Sequence, residues 1–112
     1  MDFLLNKIHS LPAFQELLVS LRSGKKPPAL ALPRAVRLPI LAAIQAELNQ
    51  PVILITDRAD HALQLHDELG FWAPNASRFI FPEPNPLFYE NAAWGTSTRR
   101  ERLQTLMALA IY

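Results

Sequence analysis

Apolar residues recur at helical spacing near the start of the chain. Phe14, Leu17, Leu18 and Leu21 share one side, Pro12 suits a first-turn position and Ser10 is available as a cap just upstream. This spacing predicts an amphipathic helix, closed by the polar, stiff connector Ser23-Gly24-Lys25-Lys26-Pro27-Pro28. The period then changes. Ala29-Leu30-Ala31-Leu32 reads as a short buried strand, and Leu41, Ile44 and Leu48 mark a helix behind it. Pro51-Val52-Ile53-Leu54-Ile55-Thr56 is a continuous β-branched and aliphatic run, the pattern of a parallel strand covered on both faces. Asp57 follows as an N-cap with Asp60 in the first turn, and Ala62, Leu65 and Leu69 form the apolar stripe of a helix that ends at or near Gly70. Arg78-Phe79-Ile80-Phe81-Pro82 reads as a third strand, ended by a proline that cannot donate to a ladder.

Pro82-Glu83-Pro84-Asn85-Pro86 is neither helix nor central strand, because its prolines fix their own backbone and restrict the residues before them. It is expected to be an extended, rigid loop. Beyond Gly95, Thr98 and Glu101 have capping-box spacing, and Leu103, Leu106, Met107, Ala110 and Ile111 form the apolar face of a final helix. That helix reaches Tyr112 without a stop signal, which predicts a chain cut from a longer protein.

Strands separated by helices imply right-handed βαβ units. The expected fold is therefore α/β, an open parallel sheet with flanking helices, with residues 1–28 as a helical segment and linker and residues 29–112 as the α/β domain. In such a fold Pro33-Arg34-Ala35-Val36-Arg37 occupies the place of a phosphate loop. That loop needs glycines, whose backbone N–H groups converge on the phosphates, and a following Lys and Ser/Thr for the terminal phosphate and Mg²⁺. None of these glycines is present. The Gly24-Lys25 pair is not a substitute, since it follows a helix, precedes two prolines and lacks the hydroxyl residue.

Composition narrows the picture. With 112 residues, half of them hydrophobic, the chain can bury one core and hardly two. The 11 basic and 10 acidic residues are interspersed, so no broad footprint for nucleic acid stands out. The absence of cysteine excludes a disulfide framework, a thiolate nucleophile and a thiolate metal site. Met1 to Lys7 carries an early acid and too short an apolar run for a signal peptide, and no segment approaches the roughly 18–20 apolar residues of a spanning helix. A cytoplasmic protein without membrane contact is expected.

Few residues suggest chemistry. Arg34 and Arg37 flank the loop position and could hold an anion, or could simply face solvent at a helix start. His61 and His66 are five residues apart, not the i,i+4 spacing of ligand pairs on a helix, and His9 is distant, so no metal site is expected. Asp67-Glu68 and Arg99-Arg100-Glu101-Arg102 read as solvated helix faces. Asn75-Ala76-Ser77 reads as a turn. Phe88, Tyr89 and Trp94, with Phe71 and Trp72, are large apolar groups near loops, suited to core packing or to recognition. No Ser/His/Asp arrangement or paired carboxylates can be defended.

Taken in order, Pro39 to Leu48, Gln50 to Thr56, His66-Asp67-Glu68-Leu69, Phe81-Pro82, Leu87-Phe88-Tyr89-Glu90 and Arg99 to Leu106 resemble the first domain of bacterial transcription-repair coupling factors. The similarity runs from about Ala29 to Leu109; each segment alone is of low specificity, and their order and spacing carry the resemblance. That domain is similar in turn to the first domain of excinuclease B, which keeps a working phosphate loop. The resemblance implies a helicase-like three-layer domain with a degenerate loop. Counting back from Asn49-Gln50-Pro51, glycine places fall at Arg34 and Val36, the lysine place at Arg37 and the hydroxyl place at Leu38.

The resemblance further implies a non-catalytic scaffold or interaction domain with no cofactor of its own. In the family, a motor elsewhere in the full-length protein uses ATP and Mg to push stalled RNA polymerase along DNA. The N-terminal module contacts neighbouring domains and recruits excinuclease A, the damage-recognition component, mainly through a following inserted domain. Leu87, Phe88, Tyr89, Glu90 and Trp94 are the candidate contact residues. Two rival readings are a nucleotide-binding, excinuclease B-like ATPase domain and an unrelated free-standing α/β interaction domain.

Overall fold

The computed structural model describes residues 2–27, 29–84 and 95–112. Within these residues it contains five helices and no strand: α1 (Asp2–His9), α2 (Pro12–Arg22), α3 (Arg34–Leu48), α4 (Ala59–Trp72) and α5 (Thr96–Ala110). The expected α/β parallel sheet is therefore not formed, and the fold is helical. The physical reason lies in the hydrogen bonds. Among the described residues, every backbone bond outside the helices joins residues at most five apart, so none of the three strand-like runs acquires a ladder partner. An apolar, β-branched run expresses its strand preference only against a neighbour.

Each run is used differently. At Leu30 to Leu32 the chain bends, with Leu32 N–H donating to Leu30 O at 3.0 Å. Val52 to Ile55 lies open to solvent, with Ile53 73% and Ile55 88% exposed where full burial was expected. The Arg78 to Pro82 run is held by side chains instead of by a neighbouring strand: Thr105 Oγ1 donates to Ile80 O at 3.2 Å and Arg102 Nη1 to Pro82 O at 2.7 Å.

Contacts divide the chain into two units, Met1–Val52 with Glu68–Pro74, and Ile53–Asp67 with Asn75–Tyr112. In the first unit, Phe14 and Leu18 of α2 pack with Ala43 of α3, supported by Leu5 and Ile8 of α1 and by Ile40, Ile44 and Leu48 of α3. Phe14 and Leu18 belong to the helical stripe read from the sequence. Burying a side chain of this size stabilises by about 1.5–3 kcal/mol. In the second unit no described side chain is fully buried, and Arg102 and Thr105 of α5 make the bonds to the 80–82 segment.

Local chemistry explains the helix ends. After α2, Gly24 adopts φ +69°, its N–H donates to Leu21 O at 3.1 Å, and Lys25 N–H donates to Ser20 O at 3.0 Å. These are the two bonds of a Schellman closure, which requires a left-handed residue where Gly24 stands. Ser10 does not cap α2 as expected: its hydroxyl donates back to Lys7 O of α1 at 2.8 Å, and Leu11 is the N-cap residue. Nor does the Thr98/Glu101 capping box form. α5 starts earlier, at Thr96 after Gly95, which leaves Thr98 inside the helix. α4 starts at Ala59, two residues past Asp57, and continues through Gly70 to Trp72. The Pro74 to Ala76 stretch forms the turn that was expected just before Arg78.

Candidate functional site

The place expected to hold a phosphate loop is the first turn of a helix. Pro33 is the N-cap of α3 and has no N–H to offer a ligand, Val36 N–H donates to Pro33 O at 3.1 Å, and Arg34 to Arg37 are already helical. Arg34, Val36 and Arg37 are exposed. Arg37, at the lysine place, turns back and donates from Nε to Leu32 O at 3.1 Å, closing the chain onto itself. Leu38, at the hydroxyl place, is 5% exposed and belongs to the core. Four positions that would encircle a triphosphate thus lie along a single helical turn, one of them apolar and buried. Pro39 follows inside the helix, also buried, and removes only the bond to Ala35 O.

A second group of polar residues gathers at the start of α4. His61 Nδ1 lies 3.0 Å from Asp57 Oδ1, Arg58 Nη2 lies 3.3 Å from His61 Nε2, and Arg58 Nη2 donates to Asp60 Oδ2 at 2.9 Å. A guanidinium can only donate, so Nε2 accepts and the proton of the neutral ring sits on Nδ1, where it points to Asp57. The hydrogen bond from His61, then one from its own backbone, holds the Asp57 carboxyl below its usual range. An Asp-His pair of this form can orient a general base, but here Arg58 occupies the outer nitrogen. The spacing of Asp57 and His61, four residues on a helix start, is the sequence signal for this pair. Asp57 was expected to cap the helix instead.

The other histidines make separate local contacts. His9 Nδ1 pairs with Glu47 Oε1 at 3.2 Å, and its ring meets Phe14 edge-on at 5.3 Å. His66 is half-buried beside Asp67, at 3.4 Å. Among the described residues no three His, Cys, Asp or Glu side chains gather as a metal site would require.

Arg102 departs from the solvated face expected for the Arg99–Arg102 cluster. Besides its bond to Pro82 O, its guanidinium stacks 3.9 Å from the centroid of the Phe81 ring. No local signal in the sequence marks this, because the partner lies 20 residues away. Arg99 and Arg100 remain exposed and, with Thr96, Leu103, Gln104 and Met107, line an open groove of about 450 Å³ along α5. Phe71, near the end of α4, is 67% exposed and packs in no core. Leu87, Phe88, Tyr89, Glu90 and Trp94 lie outside the described residues. No helix among the described residues is long and apolar enough to cross a membrane.

Compared with known proteins, the chain matches no family profile, no curated protein and no solved structure.

Proposed function

We propose that this chain is a non-catalytic scaffold and interaction segment of a transcription-repair coupling factor. The parent protein would be an ATP-dependent DNA translocase that displaces stalled RNA polymerase and recruits excinuclease A in nucleotide excision repair. The order and spacing of the segments from Ala29 to Leu109 support the assignment to that family; the fold does not contribute to it. The observation that carries the non-catalytic part is the closure of Arg37 onto Leu32 O, beside a buried Leu38, at the place where a nucleotide would need backbone amides and a hydroxyl. ATP and Mg belong, on this reading, to the motor of the parent protein. The segment contacts neighbouring domains, and excinuclease A binds mainly through the domain that follows.

Isothermal titration of the chain with ATP and Mg²⁺ tests the first half. No heat of binding is expected at millimolar nucleotide, and a saturable heat abolished by Arg37→Ala would overturn the non-catalytic reading. Replacing Phe88 and Tyr89 with Ala in the full-length protein tests the second. A changed basal ATPase rate or weaker binding of excinuclease A is expected; if neither moves, the contact role is lost.

A further inference from the structure

α5 carries an uncovered apolar face. Leu103, Leu106 and Met107 are 59%, 51% and 66% exposed, although their helical spacing is that of a packed stripe. Among the described residues, no pair of contacting helices includes α5. A monomeric protein rarely leaves such a stripe open without a use for it.

The rim of this stripe has one sign of charge. The groove over Leu103 and Met107 is edged by Arg99 and Arg100, with only the neutral Thr96 and Gln104 besides them. Among the described residues no carboxylate lines it. The N-cap of α5 is Gly95, which has no side chain to neutralise the positive end of the helix, so the field there adds to that of the two guanidinium groups. Arg102, the third arginine of the run, is engaged with Pro82 and Phe81 on an adjoining side and leaves this rim to the other two.

We infer that the groove along α5 docks an amphipathic helix of acidic character, whose apolar residues cover Leu103 and Met107 and whose carboxylates meet Arg99 and Arg100. A helix suits the site because its apolar residues recur on one face at the same period as those of α5. Acidic character suits it because a neutral or basic partner would bury or crowd two guanidinium groups without a counter-charge. A second copy of α5 fails this requirement, since it brings the same arginines and no carboxylate from its own groove. The inference stands on the charge and exposure of α5 alone and is independent of the coupling-factor reading.

The test is fluorescence anisotropy of the full chain with a labelled synthetic helix of about 18 residues, five turns, carrying Leu at i, i+3, i+4 and i+7 and Glu beside them. Saturable binding is expected, weakened at least about tenfold when the peptide's Glu residues are changed to Lys or when the chain carries Arg100→Glu. Met107→Glu should weaken binding to a similar degree, and because Met107 is exposed this variant should keep the helical circular dichroism of the parent. Equal affinity for the Glu and Lys peptides would overturn the proposal, as would binding unaffected by either variant. Displacement of the peptide by single-stranded DNA at comparable concentration would reassign the groove to nucleic acid, and a dimer in sedimentation that is lost in Met107→Glu would reassign it to a second copy.

Discussion

Glu47 and Arg22 lie 25 residues apart in the chain and meet at 3.2 Å, and the other oxygen of the same carboxylate takes His9 Nδ1 at the same distance. One side chain in the last turn of α3 therefore ties together the ends of α1 and α2. Arg22 also lies 3.5 Å from Glu47 O, one of the carbonyls that the end of α3 leaves without a helical partner. The Arg22 pair is exposed and the His9 contact half-buried, so each is worth little alone and their value lies in fixing how three helices meet.

Glu47→Gln removes the ion pair with Arg22 and alters the contact with His9 while keeping the shape. Because the carboxylate is 39% and Arg22 54% exposed, the expected loss is about 0.5–1 kcal/mol, read as a lower urea midpoint with unchanged slope. The loss should shrink in high salt, where exposed charges are screened. A midpoint indifferent to both the substitution and salt would show that the carboxylate does not tie the helices together.

The core is small, and so it should be sensitive. Leu18 is 1% exposed at the centre of the first unit, and Leu18→Ala is expected to cost about 2–4 kcal/mol in a urea titration. Val19 stands next to it on the helix and is 65% exposed, and Val19→Ala should change stability by less than about 0.5 kcal/mol. Similar losses at the two positions would contradict the packing of α2 on α3.

Gly24 allows a separation of backbone from contact effects. At φ +69° an added Cβ would meet nothing within 4 Å, so the cost of Gly24→Ala is the cost of the left-handed conformation itself, about 1–2 kcal/mol. Gly24→Asn should recover part of it, because Asn tolerates this region better. Thermal melts of the two variants order them, and an Ala variant as stable as the parent would remove the Schellman closure.

Asp57 should titrate below its ordinary value of 3.8 because His61 donates to it. A carboxylate with a lowered folded pKa contributes stability that is present above the unfolded value and is lost as pH falls through the lowered one. The pH dependence therefore lies on the acid side of the profile, and near neutral pH the contribution is fully present and constant. Carboxyl carbon NMR titration of the parent and of His61→Ala measures it directly: the Asp57 midpoint should rise toward 3.8 in the variant. An unchanged midpoint would dissolve the pair.

Helices were legible where their determinants are near in sequence. Phe14 and Leu18 announced the buried side of α2, Gly24 its end, and Leu103, Leu106 and Met107 the stripe of α5, since turns and stripes depend on residues three to five apart. α1 could have been found from Leu5 and Ile8, three residues apart and both partly buried against the core. The start of α3 was harder. Leu38 precedes a proline and is biased away from helical backbone, yet burial of Leu38 and Pro39 together outweighs that bias and draws Arg34 to Arg37 into the helix.

The missing sheet marks the limit of such reading. Val52 to Ile55 is as strand-like by composition as any segment of its length, but a strand is completed by another stretch of backbone, and composition does not say whether that stretch arrives. Residue order by itself determined the periodicity, the Gly24 closure of α2, the absence of a glycine-rich phosphate cradle and the nearly balanced charge. Tertiary structure alone decided that Arg102 reaches Pro82 and that Glu47 binds His9 and Arg22. Those contacts join residues brought together by the path of the chain, and a side chain's reach across that path has no local signature.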